Sequence, residues 1–173
     1  MKRIKLIGVF IIFGLSFFSH FMYSWFPNTI FSILFPVNES IWEHMKLIVT
    51  PVLIFSIFEY IIYKRKKIIF NNFYLSYSIS MILGIILYLL IYLPIDYIFG
   101  HNMVVAISLL FITFIFISIF SYYMMNKKEI YFSSFIGIGL IIVIYFIFGY
   151  FTYNPIERDL FYDTQKQIYG ISK

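Results

Sequence analysis

Five predominantly apolar runs, at residues 4–25, 43–63, 73–93, 103–124 and 130–151, make up most of the chain. Crossing a hydrocarbon core of about 30 Å at 1.5 Å per residue takes roughly 20 helical residues, the length of each run. The last three runs contain no charged residue at all. Backbone amides in lipid find no water, so each run must satisfy its hydrogen bonds internally, and a helix does so. Only 12% of the 173 residues are charged, against about 25% in an average soluble domain. The fold class that follows is all-α: a transmembrane bundle of five helices, with residues 1–151 as one unit and 152–173 as a tail. Pro51 falls inside the second run, where the loss of one backbone hydrogen bond predicts a kink. Pro94 is expected to end the third helix.

The distribution of basic residues gives the expected orientation. Lys2, Arg3 and Lys5, then Lys64-Arg65-Lys66-Lys67, then Lys127 and Lys128 fall on one side of the membrane. Lys46, Arg158, Lys166 and Lys173 fall on the other. The richer side reads as cytoplasmic, which places the N-terminus inside and the C-terminal tail outside. The net charge of +5 is thereby a topology signal and implies no nucleic-acid partner. The N-terminal run lacks a small-x-small cleavage site near Ser19-His20-Phe21 and reads as a retained helix, not a signal peptide. The chain has no cysteine, which excludes disulfides, thiol catalysis and cysteine-ligated metal. Small residues at spacing four, Ser76, Ser80 and Gly84 in the third run and Ser133 and Gly137 in the fifth, predict close helix seams within the bundle.

On this topology the ionisable groups are unevenly placed. Glu39, Glu43, Asp96, Glu157, Asp159 and Asp163 lie outside, as do all three histidines, His20, His44 and His101. Glu59 is expected near the inner end, reaching toward the interface or the basic cluster after Tyr63. The densest stretch is Phe35-Pro36-Val37-Asn38-Glu39-Ser40-Ile41-Trp42-Glu43-His44-Met45-Lys46. A helix beginning near Asn38 would put Glu39 and Glu43 on one face, with His20 at the same depth on the first helix. Two imidazoles and two carboxylates form a donor set that zinc, manganese or iron accepts. His20, His44, Glu39 and Glu43 are therefore the expected ligands of a divalent metal, and Glu39 and Glu43 the candidate catalytic carboxylates. Asn38, Trp42 and Asp163 are flagged beside them, Asp163 as a tail residue able to complete the cluster. Plainer readings compete: Ser40-Ile41-Trp42-Glu43 is a capping-box pattern that explains Glu43, and His20 and His44 can be read as hydrogen-bonded interfacial histidines. Asp96 and His101 read as ordinary loop groups. Residues 28–35 are apolar enough to lie at the interface or to dip back into the membrane.

The stretches His20-Phe21-Met22-Tyr23-Ser24-Trp25 and Pro36-Val37-Asn38-Glu39-Ser40-Ile41-Trp42-Glu43-His44, with the tail residues Asp159-Leu160-Phe161 and Tyr169-Gly170-Ile171, resemble the DUF6512 family of small bacterial membrane proteins. The resemblance extends over the whole chain, rests mainly on the PVNESIWEH stretch, and implies a polytopic bundle in the bacterial plasma membrane without an established activity.

Three functions fit these observations. A structural or assembly component of the cell envelope, docking a membrane protein partner through the outer motif, requires the fewest features. A metal-dependent hydrolase would activate water at the outer leaflet for lipid or lipid-linked substrates. A small-solute transporter or binding subunit needs a cavity between helices, and the uncharged middles of the last three runs offer no polar ion path.

Overall fold

The computed structural model describes residues 1–171; Lys173 lies outside the described residues. The chain forms α1 (Lys2–Trp25), α2 (Thr29–Leu34), α3 (Ile41–His44), α4 (Lys46–Arg65), α5 (Phe73–Phe99), α6 (Met103–Met125) and α7 (Ser133–Tyr153). A 3₁₀ turn (Asp159–Phe161) follows, then an antiparallel ribbon of β1 (Tyr162–Asp163) and β2 (Ile168–Tyr169). Five helices are long and apolar enough to cross a membrane, with α3 and α4 counting as one span from Ile41 to Arg65. The outward surface is apolar to a degree water does not tolerate: Phe10, Phe18, Leu90, Phe135 and Phe146 are all more than half exposed. The protein is a multi-pass membrane protein built as a helical bundle.

Helix α5 lies between α6 and α7, and α1 packs on α4 and α6. The small residues make these approaches possible. A Cβ on Gly137 would strike the backbone of Tyr74 and Leu75 in α5, and one on Gly84 would meet Ile117 of α6. Both stripes are thus seams inside one chain. Helix α5 continues through Pro94 to Phe99, five residues past the expected stop. Proline's φ is already helical, and the hydrogen bond it removes sits in a last, largely exposed turn. The second span is interrupted at Met45, not at Pro51, where short i→i+3 bonds from Met45 N to Trp42 O and from Ile48 N to Met45 O divide α3 from α4. The segment before it does not run extended: Thr29–Leu34 form α2, capped by the Asn28 side chain and packed on α7.

The two ends of the bundle are built differently. At the basic end, Asn72 adopts a left-handed conformation, accepts from Ile130 N and donates to Lys128 O, tying the α4–α5 and α6–α7 loops together. Beneath them, Glu59 is fully buried and does not reach the basic cluster after Tyr63. It pairs with Lys5 of α1 at 2.9 Å and accepts from Tyr63 and Tyr77. Lys5 also donates to Ser121 of α6. Lys5 is therefore an interior residue that joins four helices, and a charge this deep is retained because every donor and acceptor around it is matched.

Candidate metal centre

At the opposite end, the α2–α3 loop folds over the end of α1. Ser40 caps α3 by accepting from Glu43 N, which is half of the expected capping box. The other half is not made, because Ser40 N donates to the Asn38 side chain instead. The Glu43 carboxylate turns inward. It is 2.6 Å from Lys46, accepts from Val37 N, and lies 2.8 Å from the Thr152 hydroxyl of α7. Lys46 donates further to Ser32 O and Thr152 Oγ1 and is wholly buried. Glu43 and Lys46 form a lock tying α2, α3 and α7 to the loop.

With Glu43 facing inward, Glu39 faces the histidines. Glu39 Oε2 is 3.4 Å from His20 Nε2 and 3.4 Å from His44 Nε2, and the two Nε2 atoms are 3.3 Å apart. Each of the three side chains is about a third exposed: 30% for His20, 31% for Glu39 and 29% for His44. Their ligand atoms form the cluster among the described residues that could hold a metal ion. Of the four expected ligands, the structure brings three together and places Glu43 in the lock behind them.

These distances suit an ion better than a hydrogen-bonded triad. Charge-assisted N–H···O contacts are about 2.7–2.9 Å, clearly shorter than those here. Two bonds of about 2.05 Å at a tetrahedral angle span an edge of about 3.35 Å, and all three separations match it. The three atoms thus have the spacing of one face of a tetrahedron that a zinc-sized ion would fit, with a fourth vertex left over. His44 is oriented for this: its Nδ1 lies 2.9 Å from Ser40 O. That contact is a hydrogen bond to a carbonyl, so Nδ1 carries a proton, and in the neutral ring the Nε2 lone pair points at the cluster. Ligating histidines commonly donate their second N–H in this way. The two imidazoles, His20 foremost, hold the Glu39 carboxyl well below the usual carboxylate range. Glu39 therefore stays anionic in mild acid.

The flagged neighbours build the frame. Asp163 is fully buried; its Oδ2 accepts from Glu39 N, and its Oδ1 accepts from Gln165 N and Lys166 N. Asn38 donates to Gly170 O. The half-buried Trp42 ring packs on Phe148, Phe151 and Phe161. Asp96 and His101 stand apart from the cluster, around the Tyr92 hydroxyl.

Residues 1–171 match a family of unknown function, DUF6512. The chain belongs to this family. No curated protein and no solved structure matches this DUF6512 chain. Sequence reasoning missed Lys46, Thr152 and the Lys5–Glu59 pair of the DUF6512 protein. The Glu43–Lys46 spacing of three was a readable sign of the lock; nothing local joins Lys5 to Glu59.

Proposed function

We propose that this DUF6512 protein holds a zinc-type divalent ion between His20, Glu39 and His44 at the outer face of a bacterial plasma membrane. We further propose that it is a metal-dependent hydrolase of lipid or lipid-linked substrates. The observation that carries the reading is the near-equilateral triangle of ligand atoms, with edges of 3.3, 3.4 and 3.4 Å. A three-ligand site with an open fourth vertex is the arrangement of catalytic zinc, whose bound water ionises near neutral pH (about 7). The free vertex is reachable because all three ligands are partly exposed. Phe21 and Trp25, stacked on the same end of α1 and about half exposed, give that end an apolar flank suited to acyl chains. Glu43 is not available as a general base, since Lys46 and Thr152 occupy its oxygens. An ion held by His20, Glu39 and His44 would supply the activation of water. Orientation toward the outer leaflet rests on the basic residues of the other end.

A structural role for the ion has one observation of its own in favour. The ligands come from α1, from the loop before α3 and from α3 itself, so an ion would clamp three elements and shape the surface that a membrane protein partner meets. Elemental analysis of detergent-purified protein beside a His20→Ala, His44→Ala variant tests both readings. Near one equivalent of zinc, lost in the variant, together with zinc-dependent cleavage of phospholipid or lipid-ester substrates, is the expected result. Stoichiometric zinc without cleavage favours the clamp. Folded wild-type protein that takes up no zinc overturns both.

A further inference from the structure

The tail after α7 is not a free appendage. Phe161 inserts beside Trp42 and Phe151, with centroids 4.9 and 5.4 Å away. Ile171 N donates to Thr152 O, and Gly170 sits at φ +60° where a Cβ would meet that same carbonyl and Pro155. Gly170 O accepts from Asn38, and Asp163 accepts from the backbone N–H of Glu39. Two consecutive residues of the α2–α3 loop are thus held by the tail, one of them the carboxylate ligand. Between Glu39 and the first residue of α3, that loop has no regular structure of its own. Nothing in α1 or α4 bonds the Glu39 backbone; the tail does.

Resting on the metal reading above, we propose that the C-terminal ribbon is a latch for the metal centre and that Asp163 is its positioning residue. Asp163 holds Glu39 in ligating position through the Glu39 amide, without touching the ion. The buried carboxylate can do this because it accepts three backbone N–H bonds at once, one from the loop and two from its own turn. An asparagine would fit the space, but its amide nitrogen would face one of those N–H donors and break either the turn or the link to Glu39. Metal affinity is then coupled to whether the tail is docked, and whatever displaces the tail, a protease or a partner that captures Phe161, lowers that affinity.

The test is a double-variant cycle on full-length protein in detergent, with zinc affinity read by competition against a chromogenic chelator. The set is wild type, Asp163→Asn, Glu39→Ala and the double variant. Partners just outside a metal's ligand set typically change affinity by roughly 10- to 100-fold, and a loss in that range is expected for Asp163→Asn. In the Glu39→Ala background there is no carboxylate left to position, so adding Asp163→Asn should change the remaining affinity by less than about twofold. An equal loss in both backgrounds, which a general weakening of the fold produces, overturns the proposal. So does unchanged affinity in Asp163→Asn alone. Gly170→Ala covers the case in which Asp163→Asn does not fold: it lifts the far end of the latch through its clash with Thr152 O. Its tail should become protease-sensitive while zinc affinity falls, and a released tail with undiminished affinity refutes the latch. Wild-type protein that binds no zinc removes the metal reading itself and the latch with it, a result distinct from zinc-loaded wild type with an inert Asp163.

Discussion

The two nitrogens of His44 do different work, and that division sets how the site responds to pH. Nδ1 is committed to Ser40 O, so a proton arriving from solvent must go to Nε2, the atom that faces Glu39 and His20. Glu39 behaves in the opposite sense. Its pKa is lowered by the two imidazoles, so the interactions of its charged form are fully present above the ordinary carboxylate value and are lost only as pH falls through the lowered one. Protonation of Glu39 is therefore not what releases zinc in mild acid. The difference in zinc affinity between wild type and Glu39→Gln, measured by chelator competition, is expected to be the same at about pH 7 and about pH 5. A difference that shrinks toward the lower pH would show the carboxylate taking up a proton there and would overturn this reading. The histidines were legible in the sequence because an imidazole near the end of an apolar helix needs a reason to be there. The direction in which Glu43 points was not, since Glu39 and Glu43 carry equal chemistry at helical spacing. Only the loop at residues 35–40, by turning Val37 N toward one of them, separates their roles.

Helix ends and loops, more than helix middles, decide where the ligands stand. The Glu43–Lys46 pair joins the start of α4 to α2 through Ser32 O and to α7 through Thr152, so it fixes the α2–α3 loop from behind while the tail fixes it from outside. This assigns Glu43 a structural role that a direct comparison can check. Removing one member of a buried pair leaves the other charge unmatched and typically costs about 3–5 kcal/mol, whereas replacing both with matched apolar or neutral groups costs far less. Glu43→Gln and Lys46→Met alone are each expected to lower stability by about that amount in chemical unfolding from detergent. The double variant should recover much of the loss and should keep its zinc affinity within about threefold, because neither residue is a ligand and the tail still holds the loop through the Glu39 amide. Loss of zinc from the stable double variant would return Glu43 to the ligand set. The helices themselves were readable from length and apolarity, and the seams from Gly84 and Gly137. The break at Met45 was not, because Pro51 is the stronger local signal for a disturbed helix, yet the helix continues through it.

Seen as one body, the protein keeps the buried charges among its described residues near its two ends. Lys5, Glu59, Tyr63, Tyr77 and Ser121 close the basic end, and the metal centre with the Glu43–Lys46 lock closes the other. The seams between are apolar or small. That division was partly visible in the sequence, where charge clusters at the boundaries of the apolar runs, but Lys5, which counts among the basic residues of one side, is interior. The remaining basic residues of the first turn and of the two basic loops still outnumber those at the metal end, so the expected orientation survives the loss of Lys5 from the count. The complete absence of cysteine makes that orientation directly measurable, since any introduced thiol is the sole label site. Glu157 in the tail and Lys66 after α4 are both exposed. A membrane-impermeant maleimide applied to intact cells should label Glu157→Cys and leave Lys66→Cys unlabelled until the membrane is opened. The reverse pattern would put His20, Glu39 and His44 in the cytoplasm. The triangle of ligand atoms would stand in that case, because it depends on the fold alone. The substrate would have to change, because a site on the inner face meets inner-leaflet lipids and cytoplasmic zinc, and a hydrolase of outer-leaflet molecules could not be built on it.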